Sequence, residues 1–138
     1  VRRIAMEGKV DYLSQEWRDE IEKRLKEEIS PERMKFLTTS VTYIYKNCPD
    51  GNDRFLHFKI DDGIFSSILV DTGDPPDGEF NVTGDYEVFA KITQGIMKSQ
   101  RALMGGKLKL RGNMVKALKL ASLADRMNKV FAQVPANY

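Results

Sequence analysis

His57 and Cys48 are the two side chains whose types could carry nucleophilic chemistry, and the sequence holds one of each. A thiolate beside an imidazole is an activated nucleophile, but the imidazole needs an orienting partner. No such partner stands near either residue. His57 lies in the alternating run of residues 55–60, where a structural imidazole is the simpler expectation. Cys48 lies in the turn-rich loop of residues 47–53 (NCPDGND). Being alone, it forms no internal disulfide and no cysteine-rich metal site. Residues 71–79 (DTGDPPDGE) crowd carboxylates together, but without the later bidentate acid of an EF-hand loop, so a solvated loop is expected. Gly105-Gly106 precedes an alternating segment, whereas phosphate-cradling glycines follow a strand. Hydrolysis, redox chemistry and phosphoryl transfer each lack their parts, and neither a metal nor a cofactor is expected.

The elements that position these residues follow from periodicity. The chain has 138 residues, 41% hydrophobic and 30% charged, which suits one soluble globular domain. No apolar run is long enough to span a bilayer. Residues 1–12 show little periodicity and are expected to be a flexible lead-in, leaving residues 13–138 as the domain. The basic start has no apolar h-region, which argues against a secretory signal. With the lone cysteine, it makes a cytoplasmic location the expectation. Leu13, Trp17, Ile21, Leu25 and Ile29 recur every fourth residue among charged neighbours, the mark of a surface helix with one buried stripe. Ser14 is its candidate N-cap, and Ser30-Pro31 stops it.

Strands are expected over residues 38–46, 55–60 and 64–70, rich in β-branched and aromatic residues. Asp62-Gly63 is a hairpin signal. A two-residue loop there sets Ile60 opposite Phe65, Phe58 opposite Ser67 and Leu56 opposite Leu69. Leu56, Phe58, Ile60, Phe65 and Leu69 then share one dry face. Phe55, His57, Lys59, Ser66, Ile68 and Val70 share the other. A fourth short strand covers residues 80–83. A helix capped by Gly84-Asp85 and a shorter one over residues 99–104 follow. From residue 90 onward ten Lys or Arg stand against the single acid Asp125, so the acid excess lies earlier in the chain. Such asymmetry suits anions, lipid headgroups or nucleic acid. Nucleic acid is disfavoured because the basic face lacks interleaved aromatics for stacking.

The stretch of residues 103–123 (LMGGKLKLRGNMVKALKLASL) organises the rest. The glycine pair opens a bend, Leu108 and Leu110 alternate with Lys107, Lys109 and Arg111 as a half-buried strand, and Asn113 caps a helix carrying Met114, Val115 and Leu118. Leu120, Leu123, Met127, Val130, Phe131 and Val134 continue a helical pattern to Pro135. Early strands with segregated helices give an α+β fold. The late helices carry more apolar stripe than one layer needs. From the residues alone, those side chains either fill the core or border a cavity, for which methionine's adaptable thioether is suited.

GKLKLRGNMVKALKL resembles the C-terminal signature of the sterol carrier protein 2 (SCP2-like) domains, in which a Gly-Lys-Leu-Lys strand leads through a turn into an Ala-x-Lys-Leu helix. The resemblance implies a five-stranded sheet, helices packed over one face and an apolar tunnel between them. It implies a non-enzymatic lipid carrier for a fatty acid, fatty acyl-CoA or sterol-like ligand, of which the first two are the leading expectation. It places Met114, Val115 and Leu118 on the tunnel's border, with Val88, Phe89 and Ile92 from the helix after the fourth strand. Phe65, Ile96, Met97, Leu103 and Met104 complete the expected apolar lining. Lys107, Lys109, Arg111, Lys116 and Lys119 are expected to meet a carboxylate, a CoA phosphate or a transient anionic membrane surface. The competing reading is an interaction or homodimerisation module whose core is filled.

Overall fold

The computed structural model describes residues 9–138. The first helix, α1 (Gln15–Glu28), begins where Ser14 caps the chain, its side chain accepting from the Trp17 N–H at 3.2 Å. The stripe expected from the four-residue spacing is buried throughout, from Leu13 to Ile29.

Five strands form one sheet: β2 (Thr39–Lys46), β3 (Arg54–Asp61), β4 (Ile64–Thr72), β5 (Phe80–Asp85) and β6 (Leu108–Arg111), in the order β4-β3-β2-β5-β6. Only β2 and β5 run parallel; the other neighbours are antiparallel. The sheet's helix side is packed by α1, α2 (Tyr86–Thr93), α3 (Ser99–Met104) and α5 (Ala121–Gln133). Between β6 and α5 stands the short α4 (Met114–Lys119). This is the expected α+β fold. The crossover from edge strand β4 to β5 passes under the opposite face, where Thr42 Oγ1 donates to the Pro76 carbonyl at 2.8 Å. The carboxylate-rich loop therefore also forms part of the sheet's back cover.

The hairpin register departs from expectation in one place. Ile60 does pair with Phe65, but a bulge follows, and Phe58 pairs with Ile68 while Leu56 pairs with Val70. One extra residue flips every later side chain to the other face. Phe65, Ile68 and Val70 all reach the core, and Leu69, expected there, is exposed. Ser66 occupies the bulge and hydrogen-bonds Asp61, at the solvated side of the turn. Gly63 is needed in that turn: its φ is +80°, and a Cβ would stand 2.8 Å from the Pro31 backbone.

Edge strand β4 is not left open. Arg18 Nε donates to the Ile68 carbonyl at 2.8 Å and Gln15 Nε2 to the Val70 carbonyl at 2.6 Å, so α1 side chains occupy outward-facing carbonyls.

Residues 10–12, expected to belong to the lead-in, are part of the fold. Residues 1–8 lie outside the described residues. Val10 and Asp11 form β1, paired in parallel with β7 (Ala136–Asn137), and Val10 and Tyr12 are buried. Tyr12 stands edge-on to Trp17 with centroids 5.0 Å apart, and its hydroxyl bonds the Thr93 hydroxyl at 3.0 Å. A two-residue strand carries no periodicity, which is why residues 10–12 read as lead-in.

The joint between β6 and α4 is sterically tight. Gly112 has a φ of +139°, and a Cβ there would lie 2.8 Å from the Phe80 ring and 2.9 Å from the Glu79 carbonyl. Gly51 also has a positive φ, +82°, but open space around it. Gly51→Ala is expected to cost about 1 kcal/mol, the backbone penalty alone. Gly112→Ala adds a clash and is expected to cost about 2–3 kcal/mol in urea unfolding. Equal losses for the two variants would contradict this packing.

Candidate functional site

The helix-side face of the sheet is covered unequally. On β3 and β4 it is sealed: Leu56, Phe58, Ile60, Phe65, Ile68 and Val70 are all buried. On the other three strands, Val41 and Tyr43 of β2, Val82 of β5 and Leu110 of β6 are only half-buried. Tyr43 pairs across to Val82, and Val82 to Leu110, so these side chains form one row on one face. Desolvation pushes the Tyr43 phenol up to about 12, although part of the residue remains accessible. Tyr43 also borders a small void beneath the helices.

Part of the roof over this region closes on a void of about 40 Å³ bounded by Tyr43, Tyr45, Phe89, Ile92, Leu108 and Phe131. It admits little more than one water. The sheet and the helices over one face are as expected; at this place the gap between them is a seam and not an open tunnel. The close edge-on contact of Tyr45 with Phe89, 4.4 Å between centroids, narrows it.

Of the residues expected to line a tunnel, the structure brings Phe89 and Ile92 to the seam. Phe65 lies in the sealed core beside Phe58. Leu103 is half-buried against that core. Val88 and Met97 line a surface groove of about 480 Å³ together with Lys46, Lys91, Lys107 and Lys109. Ile96 and Met104 point into solvent, Met104 at 84% exposure. Met114, Val115 and Leu118 are 48%, 66% and 59% exposed, and no residue of α4 is buried.

The five expected cations do not converge. Lys107 and Lys109 border the groove at one end of β6. Arg111 pairs with Asp77 at 2.7 Å, Lys116 pairs with Glu79 at 2.6 Å, and Lys119 is exposed. The Lys116 ammonium, with Thr39, holds the Glu79 carboxyl below its usual range. Tyr43, Tyr45, Val41, Val82, Leu110 and Phe131 were outside the expected lining. The missing signal was the parallel pairing of β2 with β5, a long-range fact that alternation within one strand does not encode.

The groups able to do chemistry are otherwise engaged. Thr42 Oγ1 has one proton and gives it to the Pro76 carbonyl, so the 2.8 Å contact with His57 requires Nδ1–H of the imidazole to donate to Thr42. His57 is 2% exposed. Cys48 is buried, which pushes its thiol up, and its Sγ contacts the Tyr45 carbonyl at 3.5 Å. Among the described residues, no cluster of three or more His, Cys, Asp or Glu could hold a metal ion. No described helix is long and apolar enough to cross a membrane.

The family model described as the SCP-2 sterol transfer family matches residues 19–125. The chain belongs to that family. Among curated proteins it is 34% identical over 92 residues to hydroxysteroid dehydrogenase-like protein 2 of Homo sapiens and of Pongo abelii. That match covers 65% of this chain and 21% of those relatives, so the chain spans about a fifth of their length. Among solved structures, a crystal structure of sterol carrier protein 2 superposes with a TM-score of 0.77 at 18% identity, over 90% of this chain and 99% of that one. Palmitated SCP2L2 from Aedes aegypti superposes with a TM-score of 0.53 at 22% identity, over 76% of this chain and 87% of that one. These likenesses establish the fold, and the family is one of lipid-binding domains.

The buried imidazole has a measurable consequence. Burial disfavours the charged ring, and Lys59 adds repulsion, so His57 titrates below its ordinary value in the folded chain. Near and below pH 6.5 the unfolded chain takes up a proton that the native chain refuses. Stability is therefore full above that pH and declines as pH falls from about 6.5 through the native value. The urea midpoint is expected to fall between pH 7.5 and pH 5.5. His57→Gln should remove most of the decline, since His57 is the sole histidine; an unchanged decline would contradict the assignment.

Proposed function

We propose that this chain is a non-enzymatic carrier of a single-chain lipid, a fatty acid or fatty acyl-CoA in preference to a sterol. The supporting observation is the pairing of two incomplete surfaces. The row Val41, Tyr43, Val82 and Leu110 is left half-covered on the helix side. The short helix α4, which follows directly on β6, buries none of its own Met, Val or Leu side chains. Each methylene removed from water there contributes about 0.8 kcal/mol, so an acyl chain needs few polar contacts to be held.

In this reading α4 is the moving part of the roof. It hangs between Gly112 and Leu120, where α5 starts afresh; it buries none of its residues, and besides its contacts with α5 it is tied to the sheet by the exposed Lys116–Glu79 pair. Such a pair contributes at most about 1 kcal/mol, so opening costs little. Space for a chain comes from lifting α4 and parting the Tyr45–Phe89 seam, and Lys119 then offers a charge to a carboxylate or phosphate. A flat, rigid sterol would need a wider parting, because aromatic rings already occupy the seam. The palmitate carried by the Aedes aegypti homologue supports an acyl ligand. In longer relatives the same unit would hold lipid beside a dehydrogenase-like region. The free Cys48 fits a reducing compartment, with the cytoplasm the proposed one.

Val82→Trp tests the site directly. Filling the space of two or three methylenes should cost about 2 kcal/mol of acyl binding, roughly thirtyfold in Kd for a fluorescent fatty acid. The urea midpoint should remain near that of the parent chain. Unchanged probe binding in a folded Val82→Trp protein would overturn the assignment. So would a parent protein that neither co-purifies with lipid nor takes up the probe.

A further inference from the structure

We infer that the seam between the sheet and its helix roof selects an acyl chain bearing a hydroxyl group, which the hydroxyls lining the seam bind. The inference rests on the carrier reading above and narrows its ligand. Eleven residues bound the void at the seam, and six of them carry a hydroxyl or a carboxamide: Tyr12, Tyr43, Tyr45, Thr93, Ser99 and Asn128. They come from separate parts of the chain. Tyr12 precedes α1, Tyr43 and Tyr45 lie on β2, Thr93 ends α2, Ser99 starts α3 and Asn128 lies on α5. A pocket meant for a bare hydrocarbon needs few polar groups, and here they outnumber the apolar ones.

Only part of this set is engaged within the fold. Tyr12, Tyr45 and Thr93 are buried, and the Tyr12 and Thr93 hydroxyls lie 3.0 Å apart. The Tyr45 ring stands edge-on to Tyr12 with centroids 6.2 Å apart, and its hydroxyl is close enough to interact with that of Tyr12. Each hydroxyl offers one donor and two acceptor positions, so the Tyr12–Thr93 contact leaves most of that capacity unused. Tyr43 is desolvated with no hydrogen bond contributing to its shift. Among the described residues no hydrogen bond engages the Ser99 hydroxyl or the Asn128 carboxamide, and both residues are half-buried at the void's rim.

Size and charge identify the group that fits. The void, about 40 Å³, holds one oxygen-sized group and is far too small for a lipid headgroup. Its lining carries no charge at neutral pH: burial holds the Tyr43 phenol up to about 12 and those of Tyr12 and Tyr45 well above the ordinary value. A carboxylate or phosphate placed there would lose its hydration with no cation to replace it, so charged ends stay outside. A hydroxyl on the chain both donates and accepts, as the lining hydroxyls do, and so can join them in either sense. A methylene in the same place would take water from the phenols and return no hydrogen bond. Sites built to hydrogen-bond a ligand hydroxyl reject the analogue lacking it far more strongly than a greasy pocket rejects one extra methylene.

Competition against a fluorescent fatty acid reads the preference, with stearic acid compared to hydroxystearic acids whose hydroxyl sits at successive carbons. One position, or a few adjacent ones, should bind at least about tenfold tighter than stearic acid. Tyr43→Phe with Tyr45→Phe removes two hydroxyls and keeps both rings. In that variant the ratio of the two affinities should fall to near one, whatever the absolute values. Tyr43→Phe alone, the less buried member, should lower the ratio partway. Stearic acid bound by the parent, with every hydroxy isomer equal or weaker, would overturn the hydroxyl site and leave the carrier reading standing. A preference undiminished by either variant would also overturn it. Binding of neither stearic acid nor any isomer would contradict the carrier reading itself.

Discussion

The structure depends on an uneven division of cover over one face of a five-stranded sheet. α1 buries Trp17, Ile21 and Leu25, packs along β4 and occupies edge carbonyls of that strand with Arg18 and Gln15. That half is dry, paired and closed. The rest of the face receives α2 and α5 through a narrow aromatic seam, and the row from Val41 to Leu110 stays half-covered. Burying apolar surface is the dominant favourable term in folding. A sheet that leaves such a row half-covered retains free energy that further burial of apolar surface would release. The sealed half supplies the stability that lets the other half remain incomplete.

Much of the architecture was legible in the sequence because it is written locally. The four-residue spacing from Leu13 to Ile29 gave α1, Asp62-Gly63 gave the hairpin, and the alternation after Gly106 gave β6 with its wet and dry faces. What stayed hidden was non-local or too small to repeat. The bulge at Ser66 is a single inserted residue, invisible to a period-two pattern, yet it decides that Val70 and not Leu69 enters the core. The strand at residues 10–11 exists only because residues 136–137 lie beside it. The join between α4 and α5 at Leu120 interrupts an apolar series that reads as nearly continuous.

Of the candidate site, the apolar stripes were legible in the sequence but their placement was not. Phe89 and Ile92 reach the seam from the buried side of α2. Met114, Val115 and Leu118 share an apolar stripe on α4, but the stripe faces water in this structure. Periodicity reports that a face is apolar and leaves open what will cover it. The half-covered row of the sheet, Tyr43 and Val82 above all, follows from the parallel β2–β5 pairing and has no counterpart in local pattern. The lone His57 and Cys48, the chemically suggestive residues at first reading, are held by Thr42 and by burial, and both serve the fold's back cover and its rim.

The central claim is that lipid enters between the β2–β5–β6 face and the helices that incompletely roof it. The most direct measurement is a set of intermolecular nuclear Overhauser contacts between a 13C-labelled fatty acid and the protein. The account predicts contacts from the acyl methylenes to the Tyr43 ring and the Val82 and Leu118 methyl groups, with Met114 and Leu118 losing solvent exposure. Contacts confined to the groove of Lys46, Lys107 and Lys109 or to the sheet's back face, with Tyr43 and Val82 silent, would contradict it.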